Sequence, residues 1–117
     1  MRSIHKYFNV AKKAAKLGSS KDASKKYKIG AVGIRKDGII VTSSNISTKH
    51  PNKLAHAEAR LVKKLDMGAV VYIVRIDSNG CFKLARPCSA CFRKLYNNGV
   101  LKCFYTINNK EYGVIKF

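Results

Sequence analysis

No apolar run in this sequence approaches the ~20 residues that a helix needs to cross a bilayer, which argues against a helical membrane protein. The N-terminal stretch MRSIHKYFNVAKKAAK lacks a continuous apolar segment followed by a small-residue cleavage site. It therefore does not read as a secretory signal, and its apolar positions are needed for a core rather than for a basic presequence. Acid is scarce: six Asp and Glu stand against 24 Lys and Arg, a formal net charge of +18 over 117 residues. Only Asp22 interrupts the basic run from Arg2 to Lys28. Such a field attracts polyanions or phosphorylated substrates; the plainer reading is a solvated, lysine-rich surface. No repeat or linker divides the chain, so residues 1–117 are expected to form a single domain. The apolar fraction of 46% excludes a disordered chain. Four cysteines, Cys81, Cys88, Cys91 and Cys103, could make two disulfides. Without a secretion signal the expected compartment is the reducing cytoplasm, with thiols that bind metal or pack.

Several elements can be read along the chain. Ile4, Phe8, Ala11, Ala15 and Leu17 share one face of a helix over 3–17 that Gly18 can end. Residues 19–28 are a polar connection. The stretch IGAVGIRKDGIIVTSS (29–44) is a β-hairpin about Asp37-Gly38. A loop over 45–52 leads to a helix from about Leu54 to Asp66, ended near Gly68. Residues 69–76 are a continuous apolar run, as a covered central strand requires. A turn at 77–80 precedes a segment that runs into a helix from about Cys88 to Asn98, with Pro87 suited to its start. Strands over 100–107 and 112–117 close the chain. The expected fold is a three-layer α/β/α sandwich with a mixed five-stranded sheet. The link between the last two strands is too short for a parallel crossover, so they should pair antiparallel.

Two features of the pattern carry chemistry. Cys88 and Cys91 form a C-x-x-C at a helix start, where positions i and i+3 converge. Alone it is a zinc half-site, a redox pair or two packed thiols. His56 opens the preceding helix, and one strand lies between the two helices. Neighbouring parallel helices on one face of a sheet bring their N-termini together, which would assemble His56, Cys88 and Cys91. Three ligands suit a catalytic zinc, whereas a structural zinc takes four and would need Cys81 or Cys103. Glu58 lies off the His56 bearing and is better placed to meet a bound water than to ligate metal. Alone, Glu58 could equally be a first-turn acid that favours the helix dipole.

His-Ala-Glu (56–58) followed by Pro-Cys-Ser-Ala-Cys (87–91) matches the H-x-E…P-C-x-x-C signature of zinc deaminases. On these residues the chain resembles the cytidine/deoxycytidylate deaminase-like superfamily over nearly its whole length. The resemblance implies one zinc per chain held by His56, Cys88 and Cys91, with Glu58 as proton shuttle. It implies attack of zinc-bound hydroxide on C4 of cytosine, or C6 of adenine, with loss of ammonia. It also implies that Ala57 lies against the base and that Asn45 contacts the sugar; Asn45 could equally be a strand-end turn residue.

The signs of substrate are mixed. His56 as first ligand resembles the deoxycytidylate, tRNA-adenosine and single-strand branches of that superfamily. Antiparallel final strands resemble the free-nucleoside branch. Tryptophan is absent, and Ala85-Arg86 stands where the polynucleotide cytidine deaminases carry a tryptophan–serine pair. Ser89-Ala90 lacks the methionine typical of tRNA adenosine deaminases. The charge favours a phosphate-bearing substrate. The expected activity is deamination of cytosine to uracil in a (deoxy)cytidine nucleotide or in single-stranded nucleic acid. Adenosine-to-inosine deamination on RNA is the nearer alternative, and a non-catalytic, basic nucleic-acid-binding zinc protein is the alternative of another class. Many relatives associate, so a homo-oligomer is compatible with the sequence. Arg86 could meet a phosphate, and His50 fits a plain loop role.

Overall fold

The computed structural model describes residues 2–17, 28–44, 61–77 and 79–117. Helix α1 (Arg2–Leu17) turns Ile4, Phe8, Ala11 and Ala15 inward, and all four are buried. His5, Lys6, Asn9, Lys13 and Lys16 stay exposed. The division follows from apolar residues recurring every three or four positions along the sequence.

Strands β1 (Lys28–Ile34) and β2 (Ile40–Ser44) form the expected hairpin, paired from Ile34↔Ile40 to Gly30↔Ser44. Gly38 takes a φ of 89°, which glycine adopts without the Cβ penalty of other residues. The Asp37 carboxylate accepts the Ile39 N–H at 3.0 Å and steadies the turn. Strand β3 (Val70–Ile76) is the buried centre of the sheet, antiparallel to β1 and parallel to a strand further along the chain, Lys102–Thr106.

The chain then makes a turn that one carboxylate organises. Asp77 Oδ1 accepts the N–H groups of Asn79 at 2.9 Å and Cys81 at 3.0 Å, and Lys83 Nζ lies 3.7 Å from Oδ2. The Cys81 hydrogen bond is the main reason that the Asp77 carboxyl sits below its ordinary pKa; partial desolvation opposes it, and Asn79 and Lys83 reinforce it. Out of this turn comes a two-residue strand, β4 (Phe82–Lys83), antiparallel to the end of β3. It adds a sixth strand to the five expected. Helix α2 (Ser89–Asn97) follows and ends at Asn98-Gly99, where Asn98 Nδ2 donates to the Lys94 carbonyl at 2.7 Å. Strand β5 (Lys102–Thr106) lies beside β3, and β6 (Tyr112–Lys116) pairs antiparallel with β5, as the short link demands.

The sheet order is β2-β1-β3-β5-β6, with β4 attached to β3. One face carries Val32, Tyr72, Val74 and Ile76 against α1. The other carries Ala31, Val71, Ile73 and Cys103 against Leu61, Val62 and Leu95. Leu95 belongs to α2, and Leu61 and Val62 are helical, so helices cover both faces in three layers.

The helix expected over 54–66 is described only from Leu61, and there the structure departs from expectation. Helical geometry stops at Val62 rather than Asp66. Lys64 and Leu65 instead donate to the carbonyls of Leu61 and Val62, three residues back, in a tightened final turn. Asp66 is engaged elsewhere: its carboxylate accepts the Lys36 N–H at 3.2 Å and lies 3.7 Å from Arg35 Nε. Lys64 reaches across to donate to the Thr42 carbonyl of β2 at 2.8 Å. No helix among the described residues is long and apolar enough to cross a membrane.

Candidate active site

The chemistry-bearing pair sits where β3 gives way to α2. Residues 83–87 reach the helix under two restraints from β5. Thr106 Oγ1 donates to the Lys83 carbonyl at 2.8 Å, and the Ala85 N–H donates to the Thr106 carbonyl at 2.9 Å. Ala85 and Pro87 are buried, which ties this segment to the core. Thr106 is only 2% exposed, so its hydroxyl had to find a partner, and the Lys83 carbonyl is that partner. No signal in the sequence pointed to Thr106, because its role exists only once β5 and the 83–87 segment lie together.

Cys88 is the N-cap residue of α2, with φ −67° and ψ 167°. Its carbonyl accepts the Phe92 N–H at 2.8 Å and starts the helix. An N-cap commonly carries Ser, Thr, Asp or Asn, whose oxygen closes a terminal N–H. Here the side chain makes no capping hydrogen bond, and the first turn holds no acid. The positive end of the helix dipole is thus left without a side-chain countercharge from its own first turn. Cys91 occupies the third helical position on the same side and is fully buried, whereas Cys88 is exposed. Leu95, one turn further on, is buried as well and fixes α2 on the sheet.

The four cysteines form no disulfide among the described residues. Nor do Cys81 and Cys103 gather with Cys88 and Cys91, since no group of three or more potential ligands is found among the described residues. Cys103 lies in the β5 core beside Val71 and Leu95. Cys81 stays in the Asp77 turn. Among the described residues, neither Cys81 nor Cys103 therefore joins Cys88 and Cys91 as the further ligand that a structural zinc would need. The donor chemistry at Cys88 and Cys91 fits zinc: two soft sulfur ligands at i and i+3, on a helix terminus that favours negative charge.

His56, Ala57, Glu58 and Asn45 lie outside the described residues. Ser44, which precedes Asn45, ends edge strand β2. Leu61 and Val62, which follow Glu58 by a few residues, share one apolar cluster with Leu95 and Ala85. Leu61 and Val62 thus lie on the same face of the sheet as α2. Arg86 is exposed immediately before Pro87 and Cys88.

Residues 1–107 match the family described as the cytidine and deoxycytidylate deaminase zinc-binding region. Among solved structures, cytidine deaminase from Burkholderia pseudomallei is similar with a TM-score of 0.69 at 18% identity, covering 96% of this chain and 91% of that one. Cytidine deaminase from Mycobacterium leprae is similar with a TM-score of 0.64 at 21% identity, covering 94% and 91%. Cytidine deaminase from Mycobacterium tuberculosis gives a TM-score of 0.60 at 19% identity, covering 87% and 82%. At these identities the likeness is one of fold. No curated protein sequence matches the chain.

Proposed function

On the premise that this chain belongs to the cytidine and deoxycytidylate deaminase family, whose zinc-binding region it matches over residues 1–107, we propose that it hydrolyses cytosine to uracil. The substrate is a (deoxy)cytidine nucleotide or cytosine in single-stranded nucleic acid. The observation that carries this reading is the Cys88–Cys91 pair at the start of α2, whose first turn holds no acid, inside the matched region.

In this reading Cys88, Cys91 and His56 hold one zinc ion per chain. When bound, zinc supplies Lewis-acid chemistry that makes water a competent nucleophile near neutral pH. Glu58 accepts a proton from the attacking water as the C4–O bond forms. It returns that proton to the departing nitrogen as the C4–N bond breaks, so the products are uracil and ammonia. Ala57 lies against the base without bulk, and Asn45 contacts the sugar. Arg86, exposed beside Pro87, is free to meet a phosphate on the substrate. The net charge of +18 draws such anions toward the surface. Four cysteines without a disulfide suit a reducing cytoplasm.

A substrate panel tests the assignment: cytidine, deoxycytidine, CMP, dCMP, and single-stranded DNA and RNA oligomers, with ammonia release and product mass as readouts. Uracil is expected from the phosphate-bearing substrates. Inosine from adenosine in RNA, with no uracil, would move the activity to the adenine branch. Zinc-loaded protein inert on every substrate would sink the enzymatic reading and leave a zinc-containing binder.

Zinc content tests the ligands separately from turnover. Cys88→Ser should lower bound zinc well below one per chain by elemental analysis, with little change in folding because Cys88 is exposed. Cys91→Ser should lower zinc as well and also cost stability, since it places a hydroxyl at a fully buried position. Full zinc occupancy in Cys88→Ser would locate the metal elsewhere.

A further inference from the structure

Among the described residues, cover over the face of the sheet opposite Cys91 is uneven. Helix α1 packs on β1, β2 and β3. It reaches the β5–β6 half at one end only, where Phe8 lies 5.8 Å from Tyr112 and Thr106 is buried; Tyr112 is still 40% and Val114 43% exposed. Strand alternation puts Lys102, Phe104 and Thr106 of β5 on this side, paired with Lys116, Val114 and Tyr112 of β6. Two properties of this half-face stand out from the rest of the sheet.

Its aromatic rings form a continuous path. Tyr7 of α1 lies 5.1 Å from Tyr72 between ring centroids, and Tyr72 stacks on Phe104 at 4.8 Å and 9°. Phe104 in turn lies 6.2 Å from Tyr112. Tyr7 and Phe104 are half-buried against the core and Tyr112 is 40% exposed, so the path keeps an outer edge. Its charge is also all of one sign. Lys102 and Lys116 are directly opposite each other and both exposed. Like charges directly opposite each other destabilise a sheet, and an anion near both would offset that repulsion. The acid next to this face, Glu111, lies in the β5–β6 turn, where its carboxylate accepts from Asn108 Nδ2 at 3.1 Å.

We propose that the part-exposed β5–β6 half-face, with Tyr7, Phe104, Tyr112, Val114, Lys102 and Lys116, is a docking surface for single-stranded nucleic acid. Rings take unpaired bases by stacking, and the lysine pair takes the backbone phosphates. Charge complementarity selects this occupant. A second copy of the chain, at +18, brings like charge to like charge. An apolar helix would bury two opposed ammonium groups without a partner, which is costly. A duplex supplies phosphates but keeps its bases stacked away from the rings. The surface lies across the sheet from Cys91, so it can hold a strand independently of any reaction at α2.

The test is fluorescence anisotropy with a labelled 15-nucleotide oligo-dT, titrated against the full chain at several salt concentrations. Lys102→Glu/Lys116→Glu should weaken binding about tenfold or more. It should also flatten the salt dependence by about 1.4, the share of two phosphate contacts on a single strand. Tyr112→Ala should weaken binding about tenfold, as loss of one stacked base implies. Lys13→Glu/Lys16→Glu makes the same charge change on the outer face of α1 and should cost less than about threefold. Equal losses in the two charge variants would mean diffuse attraction and overturn the proposal. So would unchanged binding in both Lys102→Glu/Lys116→Glu and Tyr112→Ala. A wild-type dimer by light scattering that Val114→Asp converts to monomer would assign the face to self-association instead. The oligo-dT probe contains no cytosine, so absence of uracil formation elsewhere would sink the deaminase reading and leave this one standing.

Discussion

Glu58→Gln is expected to lower kcat for cytosine deamination by about 10²–10⁴-fold while zinc content stays at the wild-type level. Glutamine keeps the size and the polarity of the side chain but cannot accept or return a proton. Both halves of the proposed reaction need that proton: the water must lose it before attacking C4, and the amine must gain it before leaving. Because the change is nearly isosteric, binding of the substrate should be little affected, and the loss should fall on kcat rather than KM. Steady-state kinetics with elemental analysis of the same protein sample checks it. A variant that keeps wild-type kcat would remove Glu58 from the mechanism. A variant that loses zinc together with activity would make Glu58 a support of the metal instead. Acid is scarce in this chain, six residues against 24 basic ones, so few other carboxylates could substitute.

Gly30→Ala is expected to be the most destabilising single methyl addition in the described sheet. Helix α1 crosses β1 so closely that a Cβ at Gly30 would overlap the Ala11 carbonyl oxygen and crowd Ala15 N at 2.7 Å. Those atoms are backbone and cannot rotate away, so the helix itself would have to lift. Overpacking of this kind costs roughly 1–3 kcal/mol and occasionally more. Here the upper end is expected, because Ala11, Ala15 and Phe8 would be pulled partly out of the core together. A loss near ~3 kcal/mol lowers Tm by roughly 10 °C or more in a chain of this size. Thermal and denaturant unfolding measure it. Gly38→Asn is the comparison: Gly38 has nothing within 4 Å of an added Cβ, and asparagine tolerates positive φ. It should cost much less. Similar losses at both positions would mean that close packing of α1 is not what Gly30 provides.

How far the fold could be read beforehand depended on the reach of the forces involved. Local apolar rhythm sufficed for α1, for the hairpin at Asp37-Gly38 and for the buried β3. The antiparallel pairing of β5 and β6 followed from the length of one connection. What failed depended on groups far apart in sequence. Strand β4 is two residues long: the Asp77 carboxylate turns the chain back along β3, and Asn109 Oδ1, 27 residues away, accepts the Phe82 N–H. The helix ending at Val62 was expected to continue to Asp66. Apolar spacing supports that continuation, but Asp66 bonds to the backbone of Lys36, 30 residues away. The candidate site divides the same way. The Cys88–Cys91 pair and its place at the start of α2 were legible in a five-residue motif. The hold of Thr106 on Lys83, across 23 residues, was not.

The bond from Lys64 to the Thr42 carbonyl bears on how these molecules behave in a crowd. Among the described residues the open sheet is bordered by β2 and β6, and a border strand offers backbone groups to any passing strand. On β2, an ammonium group already occupies one of the carbonyls and plants a positive charge on a strand that begins with exposed Ile40. On β6, exposed Lys110 precedes the strand and exposed Lys116 closes it. Two copies approaching border to border meet cation against cation before any ladder can form. The lysine excess that draws in anions thereby also keeps the sheet from extending itself into a polymer, a protection that high salt would screen away.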